Sequence, residues 1–317
     1  MGKTILITGG TGTIGSFLVK QLLQTNCKRV IIFSRDEAKQ FFMQQQHSDK
    51  RIEYIIGDVR DLQRLENALY GVDYVVHAAA MKHVPIAEKN PIEAVETNII
   101  GTHNVLLGSV RQKVKKVVCL STDKAVSPSN CMGMTKGISE RLIQTFTSSS
   151  ALTKVICVRL GNVLGSRGSV IPLWQEQIAS CRKITLTDAR MTRFVMTYND
   201  VFQLLMHAFS SGINGEIIVP HMAACNIIDL AKTLCFHYGL DIEKDILVTG
   251  LRPGEKLYEE LFTTEELPNI YKNGDYYHIG TSDHGFDASL IPCRSDKCIL
   301  LSSTELDKIL RENHLLL

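Results

Sequence analysis

Asp123 and Lys124 stand side by side, directly after the apolar run 117–122. A carboxyl group and an amine in contact offer a proton donor and a proton acceptor, provided that their surroundings bring the pKa values toward neutrality. Met132 and a second lysine, Lys136, follow, and the thioether of the methionine transfers no proton at neutral pH. The pattern predicts acid–base chemistry at Asp123 and Lys124, although it also fits an exposed ion pair in a strand-end turn.

Apolar, β-rich segments alternate with stretches of helical spacing through the first half of the chain. Strands are predicted at residues 4–8, 29–33, 54–59, 74–80, 117–122 and 155–160. Strands that alternate with helices indicate an α/β fold built on a doubly wound parallel sheet, the Rossmann arrangement. Ligands bind such sheets at the carboxyl ends of the strands. Asp123 and Lys124 follow one of these ends, so the predicted sheet places them at a binding site.

Glycines separate the first predicted strand from a helical stretch at Ser16–Gln24. Gly9, Gly12 and Gly15 stand in this turn. Glycines let the backbone approach a pyrophosphate, and the N-terminus of the following helix supplies N–H groups and a positive dipole. A strand, a glycine turn and a helix in this order predict a bound dinucleotide.

The end of the second predicted strand indicates which dinucleotide is bound. Ser34 and Arg35 stand where an acidic residue would bind the 2′-hydroxyl of NAD. A hydroxyl and a guanidinium suit the 2′-phosphate of NADP instead, so we predict NADP as the cofactor. Alternatively, Arg35 is a surface residue beside a helix start, because Asp36 and Glu37 suit a first helical turn.

The composition is that of an ordinary globular protein and excludes several classes. The 317 residues are 44% hydrophobic and 21% charged, with a formal net charge of +2. So small a charge does not suit nucleic-acid binding, and no apolar run reaches the roughly 20 residues of a membrane span. The chain runs straight into a strand, so we expect no signal peptide. The nine cysteines show no metal-binding spacing, and their odd number predicts free thiols, no metal and a cytoplasmic protein.

Six motifs follow one another along the chain. They are TGGTGTIG at 8–15, HAAAMKHVP at 77–85, STDK at 121–124, RLGNVLGSRGS at 159–169, MTRF at 191–194 and RPGEK at 252–256. This series resembles the extended short-chain dehydrogenase/reductases that act on nucleotide sugars. More narrowly, it resembles the UDP-N-acetylglucosamine 4,6-dehydratases of surface-polysaccharide biosynthesis, in a variant with Met132 in place of the catalytic tyrosine.

The resemblance implies that NADP takes hydride from C4 of the hexose, that a base removes the C5 proton while the C6 hydroxyl leaves as water, and that hydride returns to C6. The resemblance implies that Asp123 protonates the C6 oxygen. Because Met132 replaces the tyrosine, we hypothesise that Asp123 also takes the 4-hydroxyl proton, directly or through water, with Thr122 as its hydrogen-bond partner. Lys124 would remove the C5 proton. We expect burial and the nearby cation Lys136 to lower the pKa of Lys124. Met132 is expected to be an apolar filler over the cofactor.

The same resemblance implies the binding residues. Cofactor contacts are expected from Gly9, Thr11, Gly12, Thr13, Ile14, Gly15, Ser34, Arg35, Asp58, Val59, Ala78, Ala79, Ala80, Lys82, Asn98 and Lys136. Substrate contacts are expected from Lys82, His83, Asn162, Ser169, Val170, Thr185, Arg193, Arg252 and Glu255. Alternatively, Arg252 to Glu255 forms only a turn that starts a helix, and His83 is only a surface residue.

A smaller, interleaved C-terminal lobe is expected to bind the nucleotide sugar. The predicted cofactor domain covers 1–168, with 194–222 packing back on it, and the substrate-binding lobe covers 169–193 and 223–317. Helices are predicted at 201–209 and 301–310 from their apolar spacing and candidate caps.

Two other functions stay open at this stage. One is a UDP-sugar 4-epimerase on the same fold, against which the missing tyrosine and the Asp123–Lys124 pair weigh. The other is a non-catalytic NADP-binding sensor or scaffold, against which the intact Asp123, Lys124 and Lys136 weigh. The resemblance also implies a homo-oligomer and, through the branch of the family that lacks membrane segments, inversion at C5.

Overall fold

The computed structural model describes residues 2–146, 152–280 and 293–316. The strands are β1 Thr4–Thr8, β2 Arg29–Ser34, β3 Ile52–Ile56, β4 Tyr74–His77, β5 Lys116–Thr122, β6 Lys154–Leu160, β7 Asn162–Val163, β8 Ile184–Leu186, β9 Thr192–Met196, β10 Ile217–Pro220, β11 Ala224–Asn226, β12 Ile246–Val248, β13 Ile270–Asn273 and β14 Tyr276–Ile279. The α-helices are α1 Thr13–Leu23, α2 Glu37–Gln46, α3 Leu62–Ala68, α4 Val84–Lys89, α5 Pro91–Ala94, α6 Gly101–Arg111, α7 Cys131–Phe146, α8 Val170–Cys181, α9 Tyr198–Ser211, α10 Ile227–Tyr238, α11 Ile242–Asp245 and α12 Ser303–Glu312.

One large sheet organises the chain. Its strand order is β13-β14-β10-β6-β5-β4-β1-β2-β3. All neighbours from β10 to β3 pair in parallel, whereas β14 pairs antiparallel with both β10 and β13. Strands such as β1 are buried along their whole length, as expected when helices cover both faces of a parallel sheet. The predicted doubly wound α/β sheet is therefore confirmed.

Two strands end earlier than the sequence predicts. β3 stops at Ile56 and β4 at His77, rather than at residues 59 and 80. Each stops where its neighbour stops, because Ile56 pairs with Ser34 at the end of β2 and His77 pairs with Thr8 at the end of β1. The residues that follow form loops at the carboxyl edge of the sheet.

Local side chains determine where the helices begin. α1 begins at Thr13, three residues before its predicted start, with Gly12 as its N-cap. The predicted helix at 201–209 is confirmed as α9, which starts at a capping box between Thr197 and Asp200 and packs against α1 and β6. The predicted terminal helix is confirmed as α12, which also begins with a capping box.

A second hydrophobic core lies outside the core of the large sheet. It contains Trp174 of α8, Leu230 of α10 and Leu306 of α12, all buried. The expected lobe division placed residues 223–317 with the substrate, but β13 and β14 instead extend the large sheet, where Ile279 is buried in the first core. That part of the predicted boundary is wrong, and the division into lobes otherwise stays a prediction.

Two predictions from composition can be compared with the structure. All nine cysteines are free thiols, as expected. Within the three described ranges, no helix combines the length and the apolar character that crossing a bilayer requires.

A buried guanidinium joins three separate segments. Arg159 of β6 forms paired hydrogen bonds to Glu140 of α7, at 3.0 and 2.7 Å, and to Glu266, at 2.9 and 2.5 Å. It also donates to the carbonyl of Leu261 at 2.9 Å. All three charged side chains are at most 9% exposed. Because a buried charge is costly without partners, the three groups stabilise one another only as a set.

Replacing Arg159 should be strongly destabilising. Arg159→Leu leaves Glu140 and Glu266 buried without their partner, which should lower the free energy of unfolding by about 3–5 kcal/mol. Arg111→Leu is the matched control, because Arg111 forms an exposed pair with Glu66 and should cost at most about 1 kcal/mol. Denaturant titration of both variants measures the difference, and equal losses would contradict the assignment.

Candidate active site

A cavity of about 580 Å³ lies at the carboxyl ends of β1 to β4. Most of the predicted cofactor residues line it: Gly9, Thr11, Gly12, Thr13, Ile14, Gly15, Ser34, Arg35, Asp58, Val59, Ala78, Ala79, Ala80 and Lys82. The remaining lining residues include His83, which was predicted to contact substrate, and Lys39 and Arg167, which the sequence analysis missed. The size and the position of the cavity suit a dinucleotide.

The glycine turn closes tightly around the start of α1. Gly9 has a φ of +66°, which favours glycine, and a Cβ on Gly15 would lie 2.5 Å from the Gly9 carbonyl oxygen. The N-cap Gly12 has no side chain to satisfy the first N–H groups of α1. These groups therefore point into the cavity as a ready site for a pyrophosphate.

The region expected to meet the adenosine ribose is polar and basic. The Ser34 hydroxyl accepts hydrogen bonds from Thr11 Oγ1 at 3.2 Å and from Gln40 Nε2 at 3.1 Å. Arg35 is half-exposed, with Nη1 3.5 Å from Asp58 Oδ2. Asp36 is the N-cap of α2 and binds Lys39, so the helix start that was considered as an alternative is present as well. The side chains of Arg35 and Lys39 thus bring positive charge to this end of the cavity.

A loop from the second half of the chain covers the glycine turn. Arg167 donates to the carbonyl of Thr11 at 2.6 Å and to the hydroxyl of Thr13 at 3.3 Å. The ammonium of Lys82 donates to the Arg167 carbonyl at 2.8 Å. His83 lies against the same loop, because a Cβ on Gly168 would be 2.2 Å from its ring. Arg167 could have been suspected from its place in the 159–169 motif, since a cation beside a glycine turn suits a pyrophosphate.

Two predicted cofactor residues do not line the cavity. Asn98 is fully buried, and its amide is saturated by Met81 N–H, the Met81 carbonyl and Thr135 Oγ1. It supports the cavity wall at Met81 rather than reaching a ligand. The ammonium of Lys136 donates to the Leu120 carbonyl at 2.6 Å, and burial lowers the pKa of this lysine.

Met132 occupies an apolar cluster. It is 4% exposed and packs with Ala87 and Ala94, and Met81 packs against this group. Met132 was expected over the cofactor, but it is Met81 that lines the cavity. The thioether thus fills space behind the cavity wall.

Asp123 and Lys124 form a buried cluster at the end of β5. A short 3-10 turn at Asp123–Ala125 follows the strand, and Asp123 is fully buried. Lys124 Nζ lies 2.9 Å from Asp123 Oδ1 and 3.1 Å from Asn162 Oδ1, and Thr122 Oγ1 donates to Asp123 Oδ1 at 3.0 Å. Asp123 Oδ2 is buried and has no hydrogen-bond partner among the described residues. The pair is therefore not an exposed ion pair, and it carries one unused carboxylate oxygen.

The sequence analysis missed a second carboxylate in this cluster. Glu259 is 3% exposed, and its Oε1 lies 3.6 Å from Lys124 Nζ. It stands between the RPGEK motif and the buried Glu266 bridge, in a segment that no short motif marked as catalytic. Only the fold brings it to Lys124.

The pKa of Lys124 moves in the opposite direction to the expected one. Burial lowers it, but the negative charges of Asp123 and Glu259 outweigh burial, so the net shift is upward. The cation that opposes the charge of Lys124 is Arg193, not Lys136. The expected lowering of the pKa is wrong, because the attraction of Asp123, and after it that of Glu259, exceeds the effect of burial.

The predicted substrate residues differ in what their side chains bind. Arg193 is buried and donates to the carbonyls of Thr192 and Lys256, so its guanidinium is largely committed to the protein. The Thr185 hydroxyl bonds Gln177. Both arrangements give these residues a structural role.

Two other predicted substrate residues, Ser169 and Arg252, have side-chain groups that a ligand could bind. The Ser169 hydroxyl, beside Val170 at the start of α8, is buried without a partner among the described residues. Arg252 is exposed, and its N–H donates to the Glu255 carboxylate, which forms the turn considered as the alternative. This turn docks against the start of α7, because the Gly254 carbonyl accepts from Asn130 at 3.0 Å.

A neutral histidine supports the cavity wall. His77 is buried, with Nδ1 2.7 Å from Thr8 Oγ1 and Nε2 3.0 Å from Thr102 Oγ1. Thr102 gives its hydroxyl proton to the Asn98 carbonyl at 2.6 Å, so His77 Nε2 must be the donor and Nδ1 the acceptor. Burial lowers the pKa of His77 from 6.5 to about 3.

The neutral His77 should make stability depend on pH. Its folded pKa is depressed, so below pH 6.5 the unfolded chain binds a proton that the folded chain refuses. The stabilisation is present above pH 6.5 and lost toward about pH 3, at up to about 1.4 kcal/mol per pH unit. Denaturant titrations of the natural protein and His77→Gln should therefore converge as pH falls, and parallel curves would contradict the assignment.

The parallel sheet, its glycine turn and the charged cluster at the end of β5 define an enzyme of the dehydratase and epimerase class of extended short-chain dehydrogenase/reductases, which modify nucleotide sugars. The chain belongs to the polysaccharide biosynthesis protein family, whose model matches residues 5–281.

Named relatives and solved structures agree with this class. A UDP-glucose 4-epimerase of Rickettsia canadensis (strain McKiel) is 44% identical over 283 residues, which are 87% of this chain and 82% of that protein. The X-ray structure of Pen from Bacillus thuringiensis has a TM-score of 0.94 and 41% identity, covering 100% of this chain and 99% of its own. DesIV, a dTDP-glucose 4,6-dehydratase of Streptomyces venezuelae with NAD and TYD bound, has a TM-score of 0.74 and 25% identity, covering 80% and 86%.

Proposed function

We propose that the protein is an NADP-dependent 4,6-dehydratase that converts UDP-N-acetylglucosamine to a UDP-4-keto-6-deoxy sugar. The observation that carries the proposal is the buried Asp123–Lys124 pair at the carboxyl end of β5. An elimination of water needs both an acid and a base held at adjacent carbons. An epimerase that acts only at C4 needs a proton acceptor at the 4-hydroxyl and no second base.

The cavity residues support NADP as the cofactor. Gly12 and the uncapped start of α1 would hold the pyrophosphate, beneath Arg167. Ser34, Arg35 and Lys39 line the cavity together and would meet a 2′-phosphate, while the carboxylates beside them, Asp36 and Asp58, are already paired with Lys39 and Arg35. When bound, NADP supplies a hydride acceptor for C4 and returns the hydride at C6.

The side chains divide the proton transfers between them. Asp123 Oδ2, which has no partner, takes the proton of the 4-hydroxyl and then gives it to the C6 hydroxyl, which leaves as water. Lys124, as the free amine, removes the C5 proton. C5 regains one proton when the hydride arrives at C6, from Lys124 if the configuration is retained and from the opposite face if it is inverted. Thr122 and Asn162 fix the two groups through Asp123 Oδ1 and Lys124 Nζ. Asp123 is a carboxylate both before and after the reaction. One residue therefore serves both the oxidation at C4 and the loss of water from C6.

Dehydration should be visible by mass spectrometry. The protein incubated with NADP and UDP-N-acetylglucosamine should release one water per sugar nucleotide, and proton NMR of the product distinguishes inversion from retention at C5. Lys124→Gln should slow formation of the dehydrated product by at least about 10²-fold and still allow reduction of the nicotinamide by C4 oxidation. Lys20→Gln, at an exposed lysine on α1, is the matched control. It should change neither the rate of dehydration nor the reduction of the nicotinamide.

The names of the Rickettsia relatives favour a second candidate, UDP-glucose 4-epimerase. The same incubations, repeated with UDP-glucose, decide between them. A product of unchanged mass with inverted C4 would overturn the dehydratase proposal and support the epimerase. An epimerase would also be expected to tolerate Lys124→Gln better than Asp123→Asn, because only the 4-hydroxyl proton has to move.

A further inference from the structure

Glu259 is a buried carboxylate that lies beside Lys124 in the catalytic cluster. Its Oε1 lies 3.6 Å from Lys124 Nζ and 3.8 Å from Arg193 Nε. Its Oε2 lies 3.9 Å from Lys256 Nζ, beyond hydrogen-bond distance, and has no partner among the described residues. Buried carboxylate oxygens are normally hydrogen-bonded, so a carboxylate whose Oε2 has no partner and whose Oε1 lies 3.6 Å from a catalytic amine requires an explanation.

The backbone holds Glu259 in place. Its N–H donates to Ser295 Oγ at 3.0 Å, and its carbonyl accepts from the Ser295 N–H at 2.9 Å. Ser295 Oγ in turn bonds Thr192 Oγ1 at 2.8 Å. Arg159 also binds the carbonyl of Leu261, which lies two residues after Glu259 in the chain. The backbone is fixed on both sides of Glu259, and its side chain, at 3% exposure, lies buried beside Lys124.

The proposed reaction poses a difficulty that Glu259 resolves. Lys124 must be a neutral amine to remove the C5 proton, yet its surroundings hold it as an ammonium ion. No solvent path is needed to remove that proton if an acceptor lies within the cluster. Asp123 Oδ1 already bonds Thr122 and Lys124, and Asp123 Oδ2 serves the sugar hydroxyls, so the free acceptor is Glu259.

We propose that Glu259 takes the proton of Lys124 when the sugar nucleotide fills the site. The inference rests on the proposed dehydratase function. One N–H bond of the ammonium breaks and one O–H bond forms on Glu259, so an ion pair becomes a neutral amine and a neutral carboxylic acid, with no change in electron count. Exclusion of water makes the ion pair more costly and the neutral pair more favourable. The two atoms have to approach by about half an ångström to reach hydrogen-bond distance.

The charges around Glu259 allow it to accept a proton. Burial raises its pKa, and the negative charge of Asp123 adds to that rise. The cations Lys124, Arg193 and Lys256 oppose the shift without reversing it. Proton transfer also removes the positive charge of Lys124, which is the strongest of these three. Glu259 acts through Lys124 and does not touch the sugar, so it is a positioning and proton-accepting partner of the base.

Single-turnover kinetics of Glu259→Gln test the proposal. Reduction of the nicotinamide, which reports C4 oxidation, should keep its natural rate, whereas formation of the dehydrated product should slow by about 10²-fold. The residual rate should rise with pH across the range where the natural enzyme is flat, because Lys124 must now lose its proton to solvent. Glu259→Asp keeps a titrating group and should restore the flat profile in part. Glu260→Gln, at the neighbouring carboxylate, is the matched control.

The outcomes separate this inference from the proposed function. If the natural protein dehydrates UDP-N-acetylglucosamine and Glu259→Gln keeps both the product rate and the pH profile, the role of Glu259 is overturned and the function stands. If Glu259→Gln loses C4 oxidation and dehydration equally, Glu259 is only structural, and the role is again overturned. If the natural protein yields only an epimer, both proposals fail. Should Glu259→Gln not fold, Glu259→Asp decides: a slower dehydration with an unchanged rate of C4 oxidation supports the role, and an equal loss of both rates overturns it.

Discussion

The buried bridge between Arg159, Glu140 and Glu266 is the interaction on which the site depends. It joins the sheet, through β6, to the helix α7 and to the segment that contains Glu259. One turn before Glu140, the same helix carries Lys136, whose charge Glu140 helps to balance. Because the guanidinium has two carboxylate partners and a carbonyl, it fixes the relative position of these parts more tightly than apolar contact would.

That constraint makes a dense charge cluster tolerable at the end of β5. Two carboxylates, Asp123 and Glu259, lie within reach of the cations Lys124, Arg193 and Lys256, and all are at most 21% exposed. Each charge is stabilised by the others rather than by water. A cluster of this kind changes its protonation when one member changes its surroundings, which is the property that a base and its proton acceptor need.

The sequence was informative where function depends on neighbours in the chain. The glycine turn, Ser34 with Arg35, and Asp123 with Lys124 are local patterns, and the structure places them at the carboxyl edge of the predicted sheet. It was uninformative where partners come from distant segments. Glu259 reaches Lys124 only through the fold, and its charge adds to that of Asp123, so the pKa of Lys124 is raised and not lowered as predicted. For the same reason the saturated amide of Asn98 and the committed guanidinium of Arg193 were not foreseen.

Met132 stands where the catalytic tyrosine is expected, so another side chain has to accept the proton that the tyrosine would take. The methionine is packed with Ala87 and Ala94, and its thioether is no proton acceptor at neutral pH. Under the proposed reaction, the 4-hydroxyl proton must then go to a group that is buried, unpaired and close to the end of β5. Asp123 Oδ2 meets those conditions. Under the same proposal, Asp123 Oδ2 takes over the proton transfer of the tyrosine and Glu259 Oε1 accepts the proton of Lys124, so the two transfers stay on separate residues.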